Sequence, residues 1–106
     1  MQYHSTRDKS ISVSAAQAIK QGLSTEGGLF VPENLPKVGL NEIEALASKN
    51  YHERAYFVLS KFLTDFTEEE LSNCIKNAYT KEKFETDSIA PVYKLNDSEY
   101  VLDLWH

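Results

Sequence analysis

Four times along this chain a helix-capping residue is followed three positions later by Glu or Gln, and each time an apolar stripe of helical spacing comes next. The pairs are Ser14 with Gln17, Asn41 with Glu44, Asn50 with Glu53, and Thr67 with Glu70. In such a box the cap side chain accepts from the third residue's N–H, and that residue's side chain reaches back to the cap N–H. The pattern commits the middle of the chain to helices. Ala15, Ala18 and Ile19 form the first stripe, with Gly22 placed to end it in the left-handed conformation. Ile43, Leu46 and Ala47 form the second, and Ala55, Val58, Leu59 and Phe62 the third. Leu71, Cys74, Ile75, Ala78 and Tyr79 form the fourth, behind the clearest of the boxes.

Strand signals flank this block. Gln2–Ser5 reads as a short strand, and Leu29–Val31 as an edge strand stopped by Pro32. Val92–Leu95, the polar turn Asn96–Glu99 and Tyr100–Leu104 read as a C-terminal hairpin. The expected fold is α+β, with three or four helices packed around a small mixed or antiparallel sheet. No repeat, low-complexity stretch or Gly/Ser linker divides it, so residues 1–106 read as one domain.

Composition narrows the partners. A chain that is 42% hydrophobic and 25% charged folds rather than staying disordered. A net charge of −5 opposes binding to nucleic acid or to an anionic membrane. No apolar run approaches the roughly 20 residues needed to cross a bilayer, and Met1–Asp8 holds no signal-peptide core. The single Cys74 allows no internal disulfide, which fits the cytoplasm.

Few residues carry chemistry. His4, His52, His106 and Cys74 have no metal-ligand spacing, so no metal site is expected, and Cys74 reads as a small core residue. Glu68–Glu70 complement a helix dipole. Gly27-Gly28 follows a helix and precedes a strand, the reverse of a phosphate-cradling loop, and reads as a tight turn needing positive φ. Ser5-Thr6-Arg7 has two open readings: hydroxyls beside a guanidinium that hold a phosphate or carboxylate, or an Arg7 paired with a nearby acid. The strand ending on Trp105-His106 has no cap or polar tail and is expected to run on into further structure.

Together these residues resemble one family. Tyr3-His4-Ser5-Thr6-Arg7 is similar to the Y-x-S-T-R start of threonine synthases, and Ala16–Leu23 with Glu26-Gly27-Gly28-Leu29-Phe30-Val31-Pro32 to their helix and D-G-G-L-F-V-P signature. Tyr51-x-x-Arg54-Ala55 resembles a further block, and Leu102-Asp103-Leu104-Trp105-His106 the E-L-F-H that leads into G-P-T and the catalytic lysine of F-K-D. Glu26 replaces the usual Asp, and the G-P-T and lysine segments are absent from this sequence.

The resemblance implies the N-terminal domain of a pyridoxal-phosphate (PLP) enzyme of the tryptophan-synthase β type. The parent would convert O-phospho-L-homoserine and water to L-threonine and phosphate. The partner would be the PLP-binding catalytic domain of the same chain. This piece would hold no catalytic or cofactor-binding residue and no PLP. Ser5, Thr6, Arg7, Gly27, Gly28 and His106 would face the substrate site or the interdomain cleft. A related phospholyase and a free-standing interaction module are the alternatives. Weak self-association of the isolated chain through its apolar end, near Trp105, is expected.

Overall fold

A computed structural model of the chain describes residues 1–84 and 86–104; Trp105 and His106, to which the sequence assigns an apolar end and a cleft position, lie outside the described residues. The chain begins in a three-stranded antiparallel sheet. Its centre is β1 (Tyr3–Ser5), with β2 (Ser12–Val13) on one side and β3 (Phe30–Pro32) on the other. Tyr3 lies opposite both Val13 and Pro32, and Ser5 opposite Phe30. The apolar run that Pro32 ends is thus an edge strand, where a missing N–H removes no ladder bond.

The helices follow: α1 (Ala15–Gln21), α2 (Leu40–Leu46), α3 (Tyr51–Phe62) and α4 (Glu68–Ala78), then a short 3-10 turn over Lys81–Lys83. Asn50 with Glu53 and Thr67 with Glu70 make complete capping boxes. At α1 the Ser14 hydroxyl accepts from Gln17 N–H, and Asp65 accepts from Ala16 N–H at 2.9 Å, setting a negative charge on the helix N-terminus. α1 ends at Gly22, whose φ of +78° and ψ of −82° are open to glycine but lie outside the left-handed helical region.

α2 departs from its expected start. It opens two residues earlier than Asn41, at Gly39, because Glu42 reaches back to accept the Gly39 N–H at 2.8 Å. Its far end is tied from α3, where Arg54 donates through Nε to Leu46 O and through Nη2 to Ala47 O, at 2.9 and 2.8 Å. Both carbonyls lie at the helix end, where Leu46 O also accepts from Lys49 N–H, so Arg54 acts as a C-cap supplied from a neighbouring helix.

The core is small. Among the described residues its buried apolar side chains are Ala15 and Ala18 of α1 and Leu71 and Ile75 of α4. α3 and α4 pack together, and at their end Tyr79 meets Tyr51 edge-on and stacks on Phe84. The buried face of α4 turns from Leu71 and Ile75 toward Ser72 and Tyr79, which leaves Cys74 and Ala78 in water. Cys74 is therefore an exposed thiol rather than a core residue. Ile19 and Val58 are likewise exposed, each standing at the outer edge of its stripe.

The last element is a separate two-stranded antiparallel hairpin, β4 (Val92–Lys94) and β5 (Tyr100–Leu102), closed by the predicted polar turn, in which Asn96 Oδ1 accepts from Ser98 and Glu99 N–H. The α+β layout holds, with four helices among the described residues and their strands divided between two small antiparallel sheets.

Candidate functional site

The loop Leu23–Leu29 folds back on itself before entering β3. Leu23 and Leu29 form a bridge, Gly27 N–H donates to Ser24 O at 2.8 Å, and Ser24 N–H donates to Gly28 O at 2.9 Å. Gly27 sits at φ +83°, where a side chain is strained. Gly28 has no positive φ, contrary to the expectation for it, and is needed for another reason. A Cβ there would overlap Ser5 Oγ and stand 2.8 Å from Glu26 Oε1 and 3.2 Å from Arg7 N. The space beside Gly28 is filled by the end of β1.

Five of the six candidate residues meet at this point. The Ser5 hydroxyl donates to Glu26 Oε1 and accepts from Arg7 N–H at 3.2 Å. Thr6 N–H donates to Leu29 O at 2.8 Å, and its hydroxyl accepts from Leu29 N–H at 3.0 Å. Arg7 Nη1 donates to Glu26 O at 3.0 Å, with its guanidinium lying beside Gly27. Arg7 is therefore held by a backbone carbonyl of Glu26, not by the carboxylate that an ion pair would use. Its remaining donors and the Thr6 side chain stay at the surface.

Glu26 organises the cluster, and sequence reasoning passed over it as a mere replacement for Asp. Its second oxygen accepts the Ser24 hydroxyl at 2.6 Å. The Ser24 hydroxyl first, and the Ser5 hydroxyl after it, hold the Glu26 carboxyl below the usual carboxylate range. Ser5 is only 1% exposed and Ser24 is also buried, so Glu26 satisfies two buried hydroxyls from the surface side. The usable signal was Ser24-x-Glu26, a hydroxyl two residues before an acid at a turn.

This arrangement can do little chemistry by itself. Ser5 is sealed, its proton directed at Glu26, and a carboxylate at the centre repels a phosphate from the two serines. A shallow cavity of about 290 Å³ beside the cluster, lined by His4, Thr6, Lys9 and Glu33, gathers no acid–base pair within hydrogen-bond reach. A larger apolar groove of about 450 Å³ lies elsewhere, between α3 and α4, along Leu46, His52, Tyr56 and Ile75. There His52 Nε2 is 2.7 Å from Tyr79 O, so that nitrogen carries its proton and is satisfied. Among the described residues no three His, Cys, Asp or Glu side chains are grouped to hold a metal, and no helix is long and apolar enough to cross a membrane.

Comparison with known proteins gives the family. The family model for the threonine synthase N terminus matches residues 2–79. Threonine synthase of Pseudomonas aeruginosa is 35% identical over 107 residues, covering all of this chain and 22% of its own length. Human threonine synthase-like 1 is 35% identical over 94 residues, 86% of this chain and 12% of its own. The chain thus spans about a fifth or less of the length of these curated relatives. In three dimensions it is similar to the PLP-bound threonine synthase from Brucella melitensis, with a TM-score of 0.81 and 31% identity over the whole of this chain and 23% of that one. The Tyr3–Arg7 and Glu26–Pro32 segments that form the cluster lie within the matched residues, and the chain belongs to the threonine synthase N-terminal family.

Proposed function

We propose that residues 1–106 are the N-terminal domain of a threonine synthase, an enzyme that converts O-phospho-L-homoserine and water to L-threonine and phosphate in the cytoplasm. The observation that carries this reading is the structural match, which extends over the whole chain to a PLP-bound enzyme of that activity. PLP supplies an electron sink for carbanions next to the amino group. The residues of this chain do not fit it. A Schiff-base lysine needs an apolar or cationic setting that lowers its pKa. Here Lys61, the one half-buried lysine among the described residues, lies 3.1 Å from the Glu42 carboxylate and over the Phe57 ring, a setting neither wholly apolar nor cationic. The lysine and the cofactor cradle belong, in this reading, to the catalytic domain of the parent.

The role left to this chain is structural. The Ser5–Glu26–Ser24 cluster fixes the first strand to the Gly27-Gly28 turn, and that rigid edge presents Thr6 and Arg7 to the interdomain cleft. The test is a chimera in which this chain replaces the aligned first segment of the Pseudomonas enzyme. Phosphate release from O-phospho-L-homoserine is expected from the chimera with PLP and not from the 106-residue chain alone. Release by the isolated chain, with a lysine trapped by borohydride, would overturn the assignment of catalysis to the missing part.

A further inference from the structure

The C-terminal hairpin has an unusual balance. Its strands pair in a regular ladder, yet every residue of β4 and β5 is exposed. The register puts Val92, Tyr100 and Leu102 on one face with Lys94, and Tyr93, Leu95 and Val101 on the other. Apart from Lys94 both faces are apolar. In strands that build a sheet interior both faces are covered, whereas a half-solvated strand alternates apolar with polar. An isolated two-stranded hairpin is marginal in water.

The edges are open as well. Asp103 N–H donates to Pro91 O at 2.9 Å and Leu95 N–H to Glu99 O at 3.0 Å, which fixes the hydrogen-bonded pairs of the ladder. By the antiparallel alternation, Val92 and Lys94 on one strand, and Tyr100 and Leu102 on the other, turn their N–H and C=O groups outward. Such an edge is a template for another strand.

The size of the uncovered surface agrees. The chain exposes 8028 Å², against about 6,000 Å² for a compact monomer of 12.1 kDa. Its radius of gyration is 16.4 Å, where about 13 Å is usual for this length. The excess of about 2,000 Å² exceeds what one side of an ordinary interdomain interface contributes. The whole-chain structural match includes the hairpin, and the matched chain is more than four times as long.

We propose that β4–β5 is the element by which this domain docks on the remainder of a full-length threonine synthase chain, which adds a strand to one edge and covers both apolar faces. This rests on the functional reading above, but it is tested separately. Hydrogen–deuterium exchange is followed at residues 92–94 and 100–102 in the 106-residue chain, in the chimera, and at the aligned hairpin of the intact Pseudomonas enzyme. The expected result is fast exchange in the isolated chain and exchange at least about 100-fold slower in both longer proteins. The intact enzyme supplies the answer if the chimera does not fold. Equal rates in the isolated chain and the longer proteins would overturn the proposal. So would protection in the isolated chain that rises with concentration to the level of the longer proteins, since that assigns the hairpin to a second copy. A protected hairpin in a chimera that releases no phosphate would keep the docking and lose the function, while an active chimera with fast hairpin amides would do the reverse.

Discussion

The two ends of the chain solve the same problem in opposite ways. At the start, three short strands survive because their polar groups are matched one by one: Ser5 and Ser24 to Glu26, Thr6 to Leu29, Arg7 to the Glu26 carbonyl. Little apolar area is involved, and the buried side chain of these strands is the Ser5 hydroxyl, 1% exposed. At the other end the hairpin carries Val92, Tyr93, Tyr100, Val101 and Leu102, the side chains that form cores elsewhere, and leaves all of them in water. Hydrogen-bond satisfaction needs partners only a few ångströms away and can be completed by the chain's own loops. Apolar burial needs area, and this chain has a small core with none to spare. The first end is finished by its own residues, and the second leaves its apolar side chains uncovered, which is what the docking proposal draws on.

The largest effect is expected where the finished end is most crowded. Gly28→Ala drives a Cβ into Ser5 Oγ and against Arg7 N, and so breaks the serine–glutamate bond while straining the backbone behind it. The expected loss is about 3 kcal/mol, the sum of overpacking and a lost buried hydrogen bond. Gly27→Ala meets only the movable tip of Arg7 but must adopt φ +83°, which costs about 1–2 kcal/mol. Urea midpoints rank the two. If Gly27→Ala proves the more damaging, backbone conformation and not space dominates the turn.

A smaller effect follows from the charge at the centre of the cluster. The folded-state pKa of Glu26 lies below its unfolded value, because the Ser24 and Ser5 hydroxyls favour the ionised form. That contribution is complete above the unfolded pKa of about 4.3 and disappears as pH falls through the folded value. Asp8, Glu42, Glu53 and Glu70 are lowered in the same direction, so the whole chain loses stability in acid. Glu26→Gln is expected to be destabilising at pH 7 and to differ less from the parent at pH 3. A gap of the same size at both pH values would mean that Glu26 acts through packing alone.

How much of this was legible in the sequence follows the same division. The boxes at Asn50 and Thr67 are local, four residues each, and they place α3 and α4 correctly. Asn41 misled because it is a good cap by type, while the deciding contact is the reach of Glu42 to a glycine N–H, which residue identity does not announce. Cys74 misled because a stripe at helical spacing defines a band, and only the position of α3 decides which side of the band is covered. The Gly-Gly pair was recognisable as a turn, but the reason for its second glycine comes from Ser5 and Arg7, more than twenty residues earlier. The convergence of Ser5, Thr6, Arg7, Gly27 and Gly28 was reached through family resemblance, since no spacing rule joins them. Their organiser, Glu26, was visible only once both segments were in place.

The smallest expected effect is the sharpest check on the contrast. Leu102 is 53% exposed and pairs across the ladder with Val92, which is 60% exposed. In a finished core, cutting a Leu back to a polar side chain costs several kcal/mol through lost transfer energy and a cavity. In this chain Leu102→Ser removes area that is already in water, so the change in stability is expected to stay within about 0.5 kcal/mol. The hairpin still loses some strand propensity, which sets the sign toward destabilisation. The measurement is the urea midpoint of the 106-residue chain at fixed dilute concentration, so that any association through the hairpin does not add to the apparent stability. A loss of 2 kcal/mol or more would show that the hairpin packs on the rest of this chain in solution, and the two ends would then differ in composition but not in completeness.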